Sequence, residues 1–248
     1  MLQGATEVVP VSSSAHLTLV PWLLGWPLPA PRTTFAAGLH AGSCAGIAVA
    51  LLADRPPVRT LALAASTCLP AAVAGLLAAD AVEQRLGRPA QLAALLAAGG
   101  VALAAADRRP QDRTVGRREA GLAALAQVAA LAPGVSRSGA ALTALRSARV
   151  GRAEAERFAL LMSLPVTAGA AALTLARADR AVLRGLAGPL AAGVPAAALT
   201  GWAGSRHASR HAGHPLIRFS LYRLALAVIT GVVVRLRATH PAQTQEYS

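Results

Sequence analysis

Six long apolar stretches alternate with short segments that carry nearly all of the charge. They run from Phe35 to Ala53, Leu61 to Ala79, Ala90 to Ala106, Phe158 to Ala176, Gly185 to Ser205 and Phe219 to Val234. Among them only His40 and Arg223 bring a histidine or a charged residue. Most reach the roughly 17–25 residues a helix needs to cross hydrocarbon, so the pattern predicts transmembrane helices. Much of the apolarity is alanine, which makes each window weakly hydrophobic but lets helices pack closely. Cys44 and Cys68 both lie inside these runs and read as small buried apolar side chains.

Two stretches interrupt the pattern with proline, serine and ionisable groups. The first contains Gln3-Gly-Ala-Thr-Glu7-Val-Val-Pro10-Val-Ser-Ser-Ser14-Ala-His16, and the second contains Ala132-Pro-Gly-Val-Ser136-Arg137-Ser138-Gly139. They are related by an internal repeat. Val11-Ser-Ser-Ser14 matches Val135-Ser-Arg-Ser138 at an offset of 124 residues, half the chain. Phe35-Ala36 with Ala45-Gly46 recurs as Phe158-Ala159 with Ala168-Gly169, Ala53-Asp-Arg55 as Ala178-Asp-Arg180, and Pro70-Ala-Ala as Pro195-Ala-Ala.

The chain therefore reads as one integral membrane domain, 1–248, of two repeats at approximately 1–112 and 113–248. Each half has one proline-broken segment and three spans. If the broken segment enters and leaves on the same side, three crossings per half turn the second half upside down. The predicted fold class is an all-α polytopic membrane protein with an inverted-topology repeat, each half a re-entrant helix hairpin plus three transmembrane helices. In such an arrangement the two broken segments face each other across a polar pocket near the midplane.

Composition supports this picture and excludes others. There are 24 arginines, no lysine and 11 acids, a net charge of +13, yet charged residues make up only 14% against 54% apolar. That is about half the usual charged share, too little to cover a soluble globule. The chain is too apolar to be disordered and too poor in cysteine to be a disulfide scaffold. The arginines are spread over loops instead of gathered on one face, which argues against nucleic acid as a partner. No basic segment precedes the first motif, so no cleavable signal peptide is read. Counting loop arginines on the two sides gives 14 against 8, and the richer side is expected to be cytoplasmic. The first motif then opens outward and the Arg137 motif enters from the cytoplasm.

Arg137 between two serines, directly after Pro133-Gly134, combines a permanent cation with hydroxyl donors and a flexible turn. This chemistry suits phosphate, with helix N-termini at the breaks adding partial positive charge; a structural pairing of Arg137 with an acid is the alternative. Glu7 has three readings: holding a divalent cation, acting as acid or base, or pairing with Arg137. His16 is suited to deprotonating a hydroxyl or protonating a leaving group, and Ser13 is the best-placed nucleophile. Spacing alone does not choose among these roles, and a serine triplet near proline also suits a helix cap.

The two motifs closely resemble the signature motifs of the bacterial undecaprenyl-diphosphatase family associated with bacitracin resistance. The resemblance extends to Ala106-Asp-Arg108, Gly151-Arg-Ala-Glu-Ala-Glu-Arg-Phe158 and Phe219-Ser-Leu-Tyr-Arg-Leu-Ala225. It implies a multi-pass enzyme of the bacterial plasma membrane that removes the terminal phosphate of undecaprenyl diphosphate. That reaction regenerates the monophosphate carrier of peptidoglycan synthesis, at a site toward the outer face. It also implies a divalent cation, Mg or Ca, with Glu7 as metal ligand, and Glu7, Ser13, His16 and Arg137 as catalytic residues. Gln3, Ser12, Ser14, Gly134, Ser136 and Ser138 are assigned to substrate binding. The expected partners are the polyprenyl diphosphate and membrane lipid; a homodimer is compatible with the sequence.

Four departures stand out. Gln3 occupies a position where some members carry a second glutamate, Ala141 replaces a threonine, and Ala36 stands where an acid often follows the phenylalanine. Only Met1 and Leu2 precede Gln3, where members usually carry an apolar stretch. Either the reading frame starts upstream or the helix bearing Glu7 is short; the second case predicts lowered stability and weak activity. The competing function is a transporter or flippase of the phosphorylated carrier, which the repeat architecture favours, while the Glu7, Ser13, His16 and Arg137 set favours hydrolysis.

Overall fold

The apolar runs fold as helices whose ends fall at the arginine- and proline-bearing segments. The computed structural model describes residues 1–239, and the last nine residues of the second repeat lie outside that range. The first half contains α1 (Leu2–Val8), α2 (Ser13–Leu24), α3 (Arg32–Ala53), α4 (Val58–Ser66), α5 (Cys68–Leu86) and α6 (Pro89–Asp107). The second contains α7 (Arg117–Ala129), α8 (Arg137–Ser147), α9 (Arg152–Arg177), α10 (Arg180–Gly185), α11 (Ala187–Arg210) and α12 (Ile217–Thr239). The two broken segments are thus the pairs α1/α2 and α7/α8.

Among the described residues, five helical stretches are long and apolar enough to cross a membrane: α3, the α4–α5 pair, α6, α9 and α12. The α4–α5 pair departs from the single helix expected over Leu61 to Ala79. Thr67 separates the two, its hydroxyl donating to the Ala64 carbonyl at 2.5 Å in competition with the helix ladder. The sixth window also forms a helix, α11, but is not among the five. Its glycines, alanines and polar end replace the larger apolar side chains found elsewhere. The protein is a multi-pass membrane protein in this coarse sense. Leu69, Val73, Leu76 and Leu77 of α5 and Val228, Ile229 and Val232 of α12 are exposed, the arrangement expected where lipid covers a helix face.

What α11 lacks in apolarity it makes up in close approach. Gly42 and Gly46 of α3 lie against the carbonyls of Val194 and Ala198, and a Cβ at either would strike that backbone. A Cβ on Gly201 would come within 2.9 Å of the Ser43 carbonyl oxygen, and one on Gly4 of α1 within 2.6 Å of the Gly201 nitrogen. Small residues thus replace hydrophobic bulk as the cohesive element of the α1–α3–α11 unit, because closely approaching backbones gain dispersion contact. α3 also packs on α9, and α6 packs on α12 and α8. Ile47, Leu51, Leu142, Leu145, Phe158 and Met162 belong to the larger buried cluster, and Leu19, Leu92, Leu96 and Leu226 to the smaller.

One end of the bundle is laced together by ions. Fully buried Arg146 donates to the Asp107 carboxylate at 3.2 Å, Arg152 to the same carboxylate at 2.7 Å, and the Leu216 amide to its other oxygen at 3.0 Å. Asp54 pairs with Arg206 at 3.2 Å. These arginines all belong to the richer group of 14 in the loop count.

Gly46→Ala is expected to lower stability by about 1–3 kcal/mol, the cost of overpacking a close-packed seam. Gly185→Ala, where a Cβ meets nothing within 4 Å, should stay within about 0.5 kcal/mol of the wild type. Equilibrium unfolding in detergent micelles measures both.

Candidate active site

The two breaks share a local geometry. Ser12 and Ser136, 124 residues apart, both hold positive φ, 73° and 69°, a region that non-glycine residues rarely occupy. Each caps the helix that follows: the Ser12 hydroxyl accepts from the Ala15 amide and the Ser136 hydroxyl from the Gly139 amide at 3.1 Å. Each also pairs with the serine two positions on, Ser12 with Ser14 at 3.2 Å and Ser136 with Ser138 at 3.4 Å. Such strained positions cost on the order of 1–3 kcal/mol and persist where surrounding contacts fix them. The serine triplet thus caps the helix that follows the first break.

Glu7 is the hub. One carboxylate oxygen accepts hydrogen bonds from the Ser13 hydroxyl and, at 2.9 Å, from the Gln3 amide. Its other oxygen faces Arg137 at 3.5 Å, joining the two motifs across 130 residues of sequence. His40 of α3 adds a third side, with Nδ1 at 3.4 Å from the carboxylate and 2.7 Å from the Gln3 amide nitrogen. The Glu7 carboxylate is buried, while Arg137 is about one-fifth exposed. Removing the partner of a buried charge typically costs 3–5 kcal/mol, so Glu7 and Arg137 hold each other in place as well as forming a site.

His16 lies one helical turn after Ser13 and makes its two hydrogen bonds elsewhere. Nδ1 sits 2.7 Å from the Ser12 carbonyl, and Nε2 sits 2.7 Å from the Tyr222 hydroxyl of α12, with the two ring planes nearly parallel. The turn does bring Glu7 and His16 to one region, but Ser13 is bonded to the acid and not to the imidazole. A helix-loop-helix turn fixes backbone proximity and leaves rotamers to local partners, which is why spacing could not assign the base.

Arg223 joins the two loops. It is 1% exposed and donates to four carbonyls: Leu96 at 3.2 Å, Pro10 at 3.2 Å, Gly134 at 3.2 Å and Val135 at 3.1 Å. Gly99 and Gly139 make room for it: a Cβ on Gly99 would strike the guanidinium, and one on Gly139 would lie 2.8 Å from Nη1. Gly134 itself has φ 100°, which a side chain would resist. Its contribution to the site is therefore a backbone carbonyl and a turn.

Of the residues singled out from sequence, Gln3, Glu7, Ser12, Ser13, His16, Ser136 and Ser138 are buried around the two breaks, and Ser14 is exposed. His40, Ser43, Tyr222 and Arg223 were missed. A signal existed for two of them, because His40 and Arg223 were the histidine and the arginine inside otherwise uncharged windows, where an ionisable group is expensive and usually functional. For a hard cation the oxygens on offer include those of Glu7 and the side-chain amide oxygen Oε1 of Gln3, which is buried and has no partner among the described residues. No group of three or more His, Cys, Asp or Glu able to hold a metal occurs among the described residues.

A family model described as bacitracin resistance protein BacA matches residues 1–229. The chain is 37% identical to an undecaprenyl-diphosphatase of Geobacter sulfurreducens, the match covering 89% of this chain and 91% of the relative. It is 35% identical to one of Gemmatimonas aurantiaca, covering 92% and 93%, and 33% identical to one of Desulforudis audaxviator, covering 96% of each.

Arg223→Leu strips the side-chain partner from the Pro10, Gly134 and Val135 carbonyls, and each unsatisfied group costs about 1–3 kcal/mol. Hydrogen exchange is expected to accelerate at residues 9–12 and 133–136 together. The milder Gly99→Ala, which displaces the same guanidinium, should reproduce the pattern with smaller amplitude.

Proposed function

This chain is a member of the bacitracin resistance protein BacA family, and on that premise we propose how it removes the terminal phosphate of undecaprenyl diphosphate to return the monophosphate carrier. The observation that carries the reading is the Ser13–Glu7–Arg137 contact. It sets a hydroxyl against one oxygen of a carboxylate and a guanidinium against the other. Ser13 attacks the terminal phosphorus as its proton passes to Glu7. The bond from that phosphorus to the bridging oxygen breaks, lipid monophosphate departs, and water then cleaves the phosphoserine. Arg137 shifts from Glu7 onto phosphate oxygens, which its fork matches, and the α8 N-terminus adds positive potential. Phosphoryl transfer needs alignment and charge stabilisation more than covalent help, so Arg137 contributes chiefly to rate.

A divalent cation, Mg or Ca, fits beside the Glu7 carboxylate and the side-chain amide oxygen Oε1 of Gln3. With so few protein oxygens, substrate phosphates and water would fill the remaining coordination, the mode in which Mg usually binds. When bound it neutralises phosphate charge. The re-entrant, inverted arrangement is supported by the matching loop geometries at Ser12 and Ser136 and by the parallel order of elements in the two halves. The plasma membrane is the site of the lipid substrate. The loop arginine count supports a site that opens to the outer face. The transporter alternative shares the architecture but gains nothing from the relatives' names, which are those of hydrolases.

Phosphate release from the lipid diphosphate in detergent tests the reading. Arg137→Ala and Ser13→Ala should each lower kcat by about 100-fold or more, with wild-type-like turnover in Arg137→Ala removing its role. Denatured phosphoenzyme should carry acid-stable phosphoserine at Ser13, and its absence alongside an active Ser13→Ala would transfer the attack to water. Chelation with EDTA should abolish turnover, and added Mg or Ca should restore it.

A further inference from the structure

His16 carries the family's expected acid-base role, yet it is 1% exposed and both ring nitrogens are engaged. The Ser12 carbonyl can only accept, so Nδ1 bears a hydrogen. In the neutral ring Nε2 then holds the lone pair and accepts from the Tyr222 hydroxyl. Nε2 is the one nitrogen free to exchange a proton, and Tyr222 stands directly on it. Tyr222 is 47% exposed, and its neighbour Arg223 is bonded to Pro10 of the Ser13 loop. The hydroxyl thus joins half-exposed Tyr222 to a buried imidazole that lies one helical turn beyond Ser13.

We propose that Tyr222 is a catalytic residue, the hydroxyl through which His16 exchanges protons with the reacting phosphate and water. The inference rests on the phosphatase reading and names a further group for that reaction. In hydrolysis of the phosphoserine, the attacking water gives a proton to Tyr222 Oη as the Oη proton passes to His16 Nε2, leaving an imidazolium and an unchanged phenol. In the next turnover the transfers reverse: the Oη proton goes to the departing lipid phosphate oxygen and the Nε2 proton refills Oη. Each half-reaction moves one proton, and the cycle returns His16 to the neutral, Nδ1-protonated form. Ser13 takes no part in this relay: its proton goes to Glu7 on attack and returns from Glu7 to Oγ as the phosphoserine bond breaks.

Tyr222→Phe removes the hydroxyl and keeps the ring against His16. It is expected to lower kcat by about 100-fold, the usual contribution of a positioned acid or base, with KM within twofold and an unchanged melting temperature. His16→Gln should lose a similar factor, and the double variant should be no worse than either single variant, because the two groups act as one unit. The 15N resonance of His16 Nε2 should also move in Tyr222→Phe, a readout independent of turnover. Multiplying losses in the double variant, or full kcat in Tyr222→Phe with an active wild type, overturns the relay alone. A wild-type protein that releases no phosphate overturns the hydrolase reading and the relay with it.

Discussion

Breaking a helix inside an apolar surrounding leaves carbonyls without amide partners, and this protein does so twice. The buried guanidinium of Arg223 answers both breaks, taking Pro10 from one and Gly134 and Val135 from the other. In hydrocarbon each unsatisfied group costs several kcal/mol, so a five-donor cation shared between two loops supports a geometry neither could keep alone. The four carbonyl dipoles in turn offset the cost of burying a charge without a carboxylate. Gly99 and Gly139 supply the space. Because the loops are tied at their backbones, their tips meet, and Glu7 and Arg137 reach each other.

The tips differ although their scaffolds match. At the shared offset of 124 residues, Ser13 corresponds to Arg137, Glu7 to Leu131 and Gln3 to Gln127. Both loops cap the next helix with a serine at positive φ, so the same backbone presents a hydroxyl in one half and a cation in the other. The acid survives in the first half only. A hydroxyl, a carboxylate and a guanidinium are thereby brought together by two breaks of matching geometry, with the three groups divided between them. Gln127 keeps the residue type of Gln3 without the neighbouring carboxylate, and its buried amide has no hydrogen-bond partner among the described residues.

Much of this was legible because it depends on local sequence. Span positions follow from uncharged runs, the breaks from proline and serine, and the pairing of the breaks from the repeat. Glu7, Ser13 and Arg137 stood out because charge is scarce around them. Tyr222 and Ser43 did not, since a tyrosine or serine within a span is unremarkable until tertiary packing brings a partner. His40 and Arg223 were visible as exceptions but not as members of the site, because their partners lie 33 or more residues away along the chain. α11 illustrates the same limit from the other side. Its composition is too rich in small residues to register as strongly apolar, and only its fit against Gly42 and Gly46 explains how it is held.

That fit also bears on the short helix before the first break. Seven residues of α1 make few intrahelical bonds, and a helix of that length has little stability of its own. Tertiary contacts fix it instead. Gly4 lies against the α11 backbone at Ala197 and Gly201, and the Thr200 hydroxyl lies 3.1 Å from the Met1 carbonyl. Gln3 reaches across to His40 and Ser43 on α3. Glu7, one turn beyond Gln3, is then held by Gln3, Ser13, His40 and Arg137 from three directions outside its own helix and one within it. The precision of the carboxylate is therefore a property of the α3–α11 seam and of the opposing loop. Helix length matters less than whether small residues let that seam close.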